Sequence, residues 1–84
     1  MMGKILITLK VPSVEQKFDV LVPDFLPVKD VIPLMAEAVS ELTRMMYVSS
    51  GAEVLCRDDP SEIFNGEYTL RDYGVADGEY LFLI

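Results

Sequence analysis

The chain has 84 residues, about half apolar (51%) and a quarter charged (25%), with fourteen acidic residues against seven basic ones and a formal charge of −7. That supports one core in a single domain, 1–84, and is not the charge-rich composition of a disordered segment. The dispersed basic residues argue against a nucleic acid or anionic membrane partner, and the lone Cys56 excludes an internal disulfide, a zinc site or an iron–sulfur cluster and points to a reducing compartment.

"MMGKILITLKV" alternates as a strand does and is followed by no small-residue cleavage site, so it is not read as a signal peptide. No apolar run approaches the length of a membrane span, so no direct membrane insertion is expected and the protein is read as cytoplasmic. From Lys4 to Val11 the side chains Ile5, Ile7, Leu9 and Val11 share one face, which predicts a strand with one buried face. Pro12 and the polar Ser13 to Gln16 break that pattern. "KFDVLVP" then resumes a period of two with Phe18, Val20 and Val22, completing a hairpin.

In "DFLPVKDVIPLMAEAVSELT" the residues Val28, Val31, Ile32, Met35, Val39 and Leu42 recur at helical spacing. Pro27 suits the first turn of that helix. Pro33 falls inside it and removes a bond to the carbonyl four residues back, which predicts a kink or a short initial turn. "RMMYVSSGA" is apolar without a period and then polar, so it is a loop. "EVLCR" and "EIF", the latter before the Asn65-Gly66 turn signal, each fit a short strand. Finally, Glu79 to Ile84 sets Leu81 and Leu83 against Tyr80, Phe82 and Ile84, and apolar residues on both faces predict a central strand. Such a strand lies parallel to the first, with the helix as the crossover, in a mixed sheet of four to five strands wrapped around one helix.

Catalytic chemistry has little to work with. The chain contains no histidine, the commonest general base and the usual partner of a serine or cysteine nucleophile. Cys56 would need a nearby cation to act as a thiolate, and Arg57 points to the other face of a strand, so Cys56 reads as a small core residue. Asp58, Asp59 and Glu62 lack the spacing of a calcium loop. Gly74 and Gly78 precede no helix and read as turn residues rather than a phosphate cradle. No catalytic residue, cofactor, metal or small-molecule substrate is assigned, and the protein is not read as an enzyme.

The order strand, strand, helix, strand, short strand, strand resembles the β-grasp or ubiquitin-like fold, an α+β class. "TLRDYGVADGEYLFLI" resembles the ubiquitin-family ending, in which a leucine and a tyrosine anchor a turn and an Asp-Gly turn launches the last strand. "DVLVPDFLPVKDVIPLM", with a proline closing the second strand, a Pro-Val helix opening and a proline inside the helix, is more particular. Together they resemble the YukD/EsaB family of ubiquitin-like proteins of type VII (WXG100, ESX-like) secretion systems in Gram-positive bacteria, and the ubiquitin-like cytoplasmic module of the membrane component of the actinobacterial apparatus.

The resemblance implies a non-catalytic adaptor acting on protein partners, such as the membrane-bound secretion ATPase or a membrane subunit. The alternative is a modifier or sulfur carrier working through its carboxyl end. That chemistry uses a flexible Gly-Gly tail, whereas no Gly-Gly occurs here and the sequence closes on Leu83 and Ile84 within a strand pattern. A homo-oligomeric module is a third possibility. Two features are candidates for partner binding. "MMYV", comprising Met45, Met46, Tyr47 and Val48, combines flexible thioethers with an aromatic ring, as adaptable surfaces do, although packing beneath the long connection competes with that reading. Leu55 is the second, should its register place it on the open sheet face that ubiquitin-like domains use for binding.

Overall fold

The computed structural model describes residues 3–57 and 62–84. Strand β1 (Lys4–Val11) and strand β2 (Gln16–Pro23) form an antiparallel hairpin from Lys4↔Pro23 to Val11↔Gln16. A short 3-10 turn at Pro12–Val14 reverses the chain, with Glu15 in the left-handed region at φ 53°. Helix α1 (Val28–Leu42) follows, then the two-residue strand β3 (Leu55–Cys56) and strand β4 (Tyr80–Leu83). The sheet order is β2-β1-β4-β3, with β4 parallel to β1 and antiparallel to β3. The predicted central last strand and its parallel pairing are therefore observed. "EIF" is not a strand: its only pairing among the described residues is the isolated bridge between Ile63 and Cys56.

The core lies between one sheet face and the helix. Ile7, Leu9 and Val11 of β1, Leu81 and Leu83 of β4, Leu55, and Val28, Val31, Met35 and Val39 of α1 are all buried. Each such side chain contributes roughly 1.5–3 kcal/mol by leaving water. The helical period runs one residue beyond the buried face, since Leu42 is exposed and the buried residue at that end is Thr43. Helix α1 is continuous through Pro33, and Pro27 is its N-cap rather than part of its first turn.

No side chain caps the N-terminus of α1. Its unpaired amides are instead satisfied by a distant segment: Val28 N–H donates to the Tyr68 carbonyl (2.7 Å) and Lys29 N–H to the Gly66 carbonyl (3.0 Å). The approach is close enough that a Cβ on Gly66 would sit 3.1 Å from Lys29 Cβ. The turn ahead of β4 is fixed similarly. Gly78, at φ +83°, donates its N–H to the Leu6 carbonyl (2.7 Å), and Asp77 Oδ1 accepts the Leu6 N–H (2.7 Å). The Asp-Gly pair thus aligns β4 on β1.

Candidate functional site

Among the exposed apolar residues, two groups lie where partner binding is expected, and local chemistry explains both. The first follows α1. Arg44 and Met45 both adopt positive φ (53° and 69°), which ends the helix, and Met45 N–H donates to the Ser40 carbonyl (2.7 Å). The Thr43 hydroxyl donates to the Val39 carbonyl (2.8 Å) and accepts the Tyr47 N–H (3.0 Å). Held this way, the chain projects Met45, Met46 and Val48 outward, at 69%, 73% and 80% exposure.

Tyr47 goes the other way. It is buried at 7% exposure and packs in the core, so it does not offer its ring to a partner as the expected "MMYV" surface required. Its hydroxyl stays paired as the ring is buried: it donates to Oε2 of the half-buried Glu53, which also accepts Ser50 N–H (3.2 Å). Burial, followed by the bond to Glu53 and the proximity of its charge, pushes the Tyr47 hydroxyl well above the usual tyrosine range. Burial alone would raise the Glu53 carboxyl. The hydrogen bonds it accepts from Tyr47, Ser49 and the local backbone outweigh that and hold it below its ordinary value.

The second surface is the outer face of the sheet. Leu6 pairs with Leu21, Thr8 with Asp19 and Lys10 with Lys17 across the hairpin, while Tyr80 and Phe82 lie beside Thr8 and Lys10. Leu6, Leu21 and Tyr80 are exposed, and Phe82 is half-buried. Thr8 Oγ1 donates to Asp19 Oδ1 (2.8 Å). Lys10 Nζ stands 4.6 Å from the Tyr80 ring centroid and 5.2 Å from that of Phe82. Along the sequence the basic residues are dispersed; the hairpin register brings two of them together.

Leu55 does not belong to this face. Cross-strand partners share a face, Leu55 pairs with the buried Leu83, and both are in the core. The outer-face position in β3 belongs to Cys56, opposite Phe82, and that thiol is fully buried. Burial pushes its pKa up, away from a reactive thiolate. Arg57 does not activate it, because its guanidinium is engaged by Glu79 Oε2 (2.7 Å) and the Tyr73 carbonyl (2.8 Å). Among the described residues no group of three or more His, Cys, Asp or Glu could hold a metal ion. Asp58 and Asp59, weighed above as calcium ligands, lie outside the described residues. No described helix is long and apolar enough to cross a membrane.

The family model for YukD, described as a protein of the WXG100 protein secretion system (Wss), matches residues 6–83. A comparison with curated proteins found no significant match. Among solved structures, the ubiquitin-like domain of the Mycobacterium tuberculosis type VII secretion system protein EccD1 is similar, with TM-score 0.79, 21% identity, and 99% of each chain covered. The EccD5 ubiquitin-like domain from Mycobacterium xenopi gives TM-score 0.80 at 15% identity, covering 96% of this chain and 92% of that one. A chain of the MycP5-free ESX-5 inner membrane complex gives TM-score 0.83 at 17% identity, covering 98% of this chain and 21% of that one. At these identities the structural likeness establishes a ubiquitin-like, β-grasp fold.

Proposed function

The chain belongs to the YukD family of the WXG100 protein secretion system, and from that premise we propose that it is a non-catalytic, non-conjugated adaptor of a type VII secretion apparatus in the cytoplasm. It binds protein components of the apparatus, the membrane-bound ATPase or a membrane subunit, through surfaces that the fold holds rigid. The observation that carries this reading is the pairing of exposed apolar surface, on the Met45-Met46 turn and the outer sheet face, with a buried thiol and an ordered last strand. The likeness to a chain within an inner membrane complex supports a partner at the membrane. The strand that carries Leu83 is held in the fold through Ile84, whose N–H donates to the Val54 carbonyl (3.0 Å) and whose carbonyl accepts the Val54 N–H (2.9 Å).

Photo-crosslinking in the native host tests it. A photoreactive side chain replacing Met46 or Tyr80 is expected to capture a subunit of the secretion apparatus, identified by mass spectrometry. Recovery of isopeptide-linked or carboxyl-adducted forms, with no apparatus subunit captured from either position, would overturn it.

A further inference from the structure

The outer sheet face contains a charge arrangement that the fold itself does not require. Lys10 and Lys17 are direct cross-strand partners on an antiparallel pair. Like charges in that position weaken a hairpin, so strand pairing gives no reason for two lysines there. Of the other basic residues, Lys29 pairs with Glu67, Arg57 with Glu62 and Glu79, and Arg71 with Asp24, while Lys4 and Arg44, which stand apart from each other, make no ion pair among the described residues. Lys10 and Lys17 make no ion pair among the described residues. The nearby Asp19 carboxylate accepts a hydrogen bond from Thr8.

What the two ammonium groups do have is aromatic carbon. Lys10 Nζ lies over both Tyr80 and Phe82, and Lys17 Nζ is 5.9 Å from the Tyr80 centroid. Ring faces steady the cations without cancelling their charge. A shallow groove runs alongside, lined by Val11, Pro12 and Phe82 with Lys10 and Lys17, and by Glu15 as its one carboxylate, so the two cations outnumber the anion. In a chain of formal charge −7, this is a local positive site with an apolar floor.

We propose that this groove binds an acidic, apolar peptide segment of a partner protein, with carboxylates facing Lys10 and Lys17 and an apolar side chain seated against Phe82 and Pro12. The proposal rests on the adaptor reading above and deepens it by naming the chemistry of the partner. The overall negative charge repels acidic segments from the rest of the surface, so the groove also sets the orientation of docking.

The test is an NMR titration of the isotope-labelled full chain with a synthetic nonapeptide alternating aspartate and leucine, alongside versions carrying asparagine or lysine in place of aspartate. The aspartate peptide is expected to shift the amides of Lys10, Lys17, Tyr80 and Phe82 saturably, and to weaken as salt is added. The double substitution Lys10→Glu, Lys17→Glu is expected to weaken binding about thirtyfold, the sum of two surface ion pairs at the upper end of their range. The same variant, checked for folding by circular dichroism, is expected to bind the lysine peptide instead. Binding of the asparagine peptide equal to that of the aspartate peptide, shifts confined to other surfaces, absence of saturable shifts, or binding unaffected by the double reversal would each overturn the proposal. Self-association abolished by Lys10→Glu would assign the face to a second copy and overturn it as well. Capture of an apparatus subunit through Met46 with a failed titration removes this proposal alone; failure of both removes the adaptor reading too.

Discussion

Replacing Thr43 by valine keeps the shape of the side chain and removes one hydroxyl. The site is buried, at 6% exposure, so water cannot readily take the place of the lost group. The Val39 carbonyl keeps the Thr43 N–H as a donor (2.9 Å), whereas the Tyr47 N–H loses the Oγ1 acceptor at 3.0 Å. One buried amide left unpaired costs about 1–3 kcal/mol. Against a total stability on the order of 4–13 kcal/mol for a domain of this length, that is a large fraction. The melting temperature should fall by about 4–8 °C for each kcal/mol lost. Urea unfolding of wild type, Thr43→Val and Thr43→Ser is the assay, with the midpoint falling for valine, the slope unchanged, and serine recovering most of the loss. A valine variant within about 0.5 kcal/mol of wild type would refute the reasoning, since surface substitutions typically fall in that range. A serine variant as unstable as the valine one would do the same.

Gly66→Ala should destabilise by about 1–3 kcal/mol, because the new Cβ would sit 3.1 Å from Lys29 Cβ at the segment that caps α1; thermal unfolding checks this, and an unchanged melting temperature contradicts it. Asp77→Ala should cost about 1 kcal/mol by removing the acceptor of the Leu6 N–H, and hydrogen exchange at Leu6 should accelerate more than at Leu9. Because the folded-state pKa of Glu53 is lowered, its contribution to stability is present above the ordinary value of 4.5 and is lost as pH falls through the folded value. Urea midpoints measured across that acid range should therefore fall less steeply for Glu53→Gln than for wild type, and parallel pH profiles would exclude the Tyr47–Glu53 bond as the cause.

Elements with a clean period are legible in the amino-acid sequence alone. Ile7, Leu9 and Val11 mark the buried face of β1, Val28, Val31, Met35 and Val39 mark that of α1, and the apolar residues on both sides of Tyr80–Leu83 mark a central strand. The "MMYV" run carries no period, so nothing local separates the exposed Met45 and Met46 from the buried Tyr47. That division comes from Thr43 and Glu53, which bond to Tyr47 from four residues before it and six after it. Leu55 is ambiguous because a two-residue strand has no alternation of its own; its pairing with Leu83 decides its face. "EIF" has strand-like composition, yet Phe64 is drawn into the core and stacks on Tyr73 (centroids 4.3 Å apart), while Tyr73 Oη accepts the Asn65 N–H (2.7 Å). Tertiary packing overrides β-propensity there. The Lys10–Lys17 site is hidden in the sequence for a similar reason, since it exists only in the hairpin register.

Rescue of secretion in a host strain lacking this gene tests most directly whether the protein acts through its surfaces rather than its carboxyl end. A version with an inert folded domain fused after Ile84 is predicted to restore export of the system's WXG100 substrates to the wild-type level. The full chain carrying Met45→Ser, Met46→Ser, Lys10→Glu and Lys17→Glu is predicted to fold and fail. Loss of export with the fused version, together with normal export by the surface variant, would contradict the account.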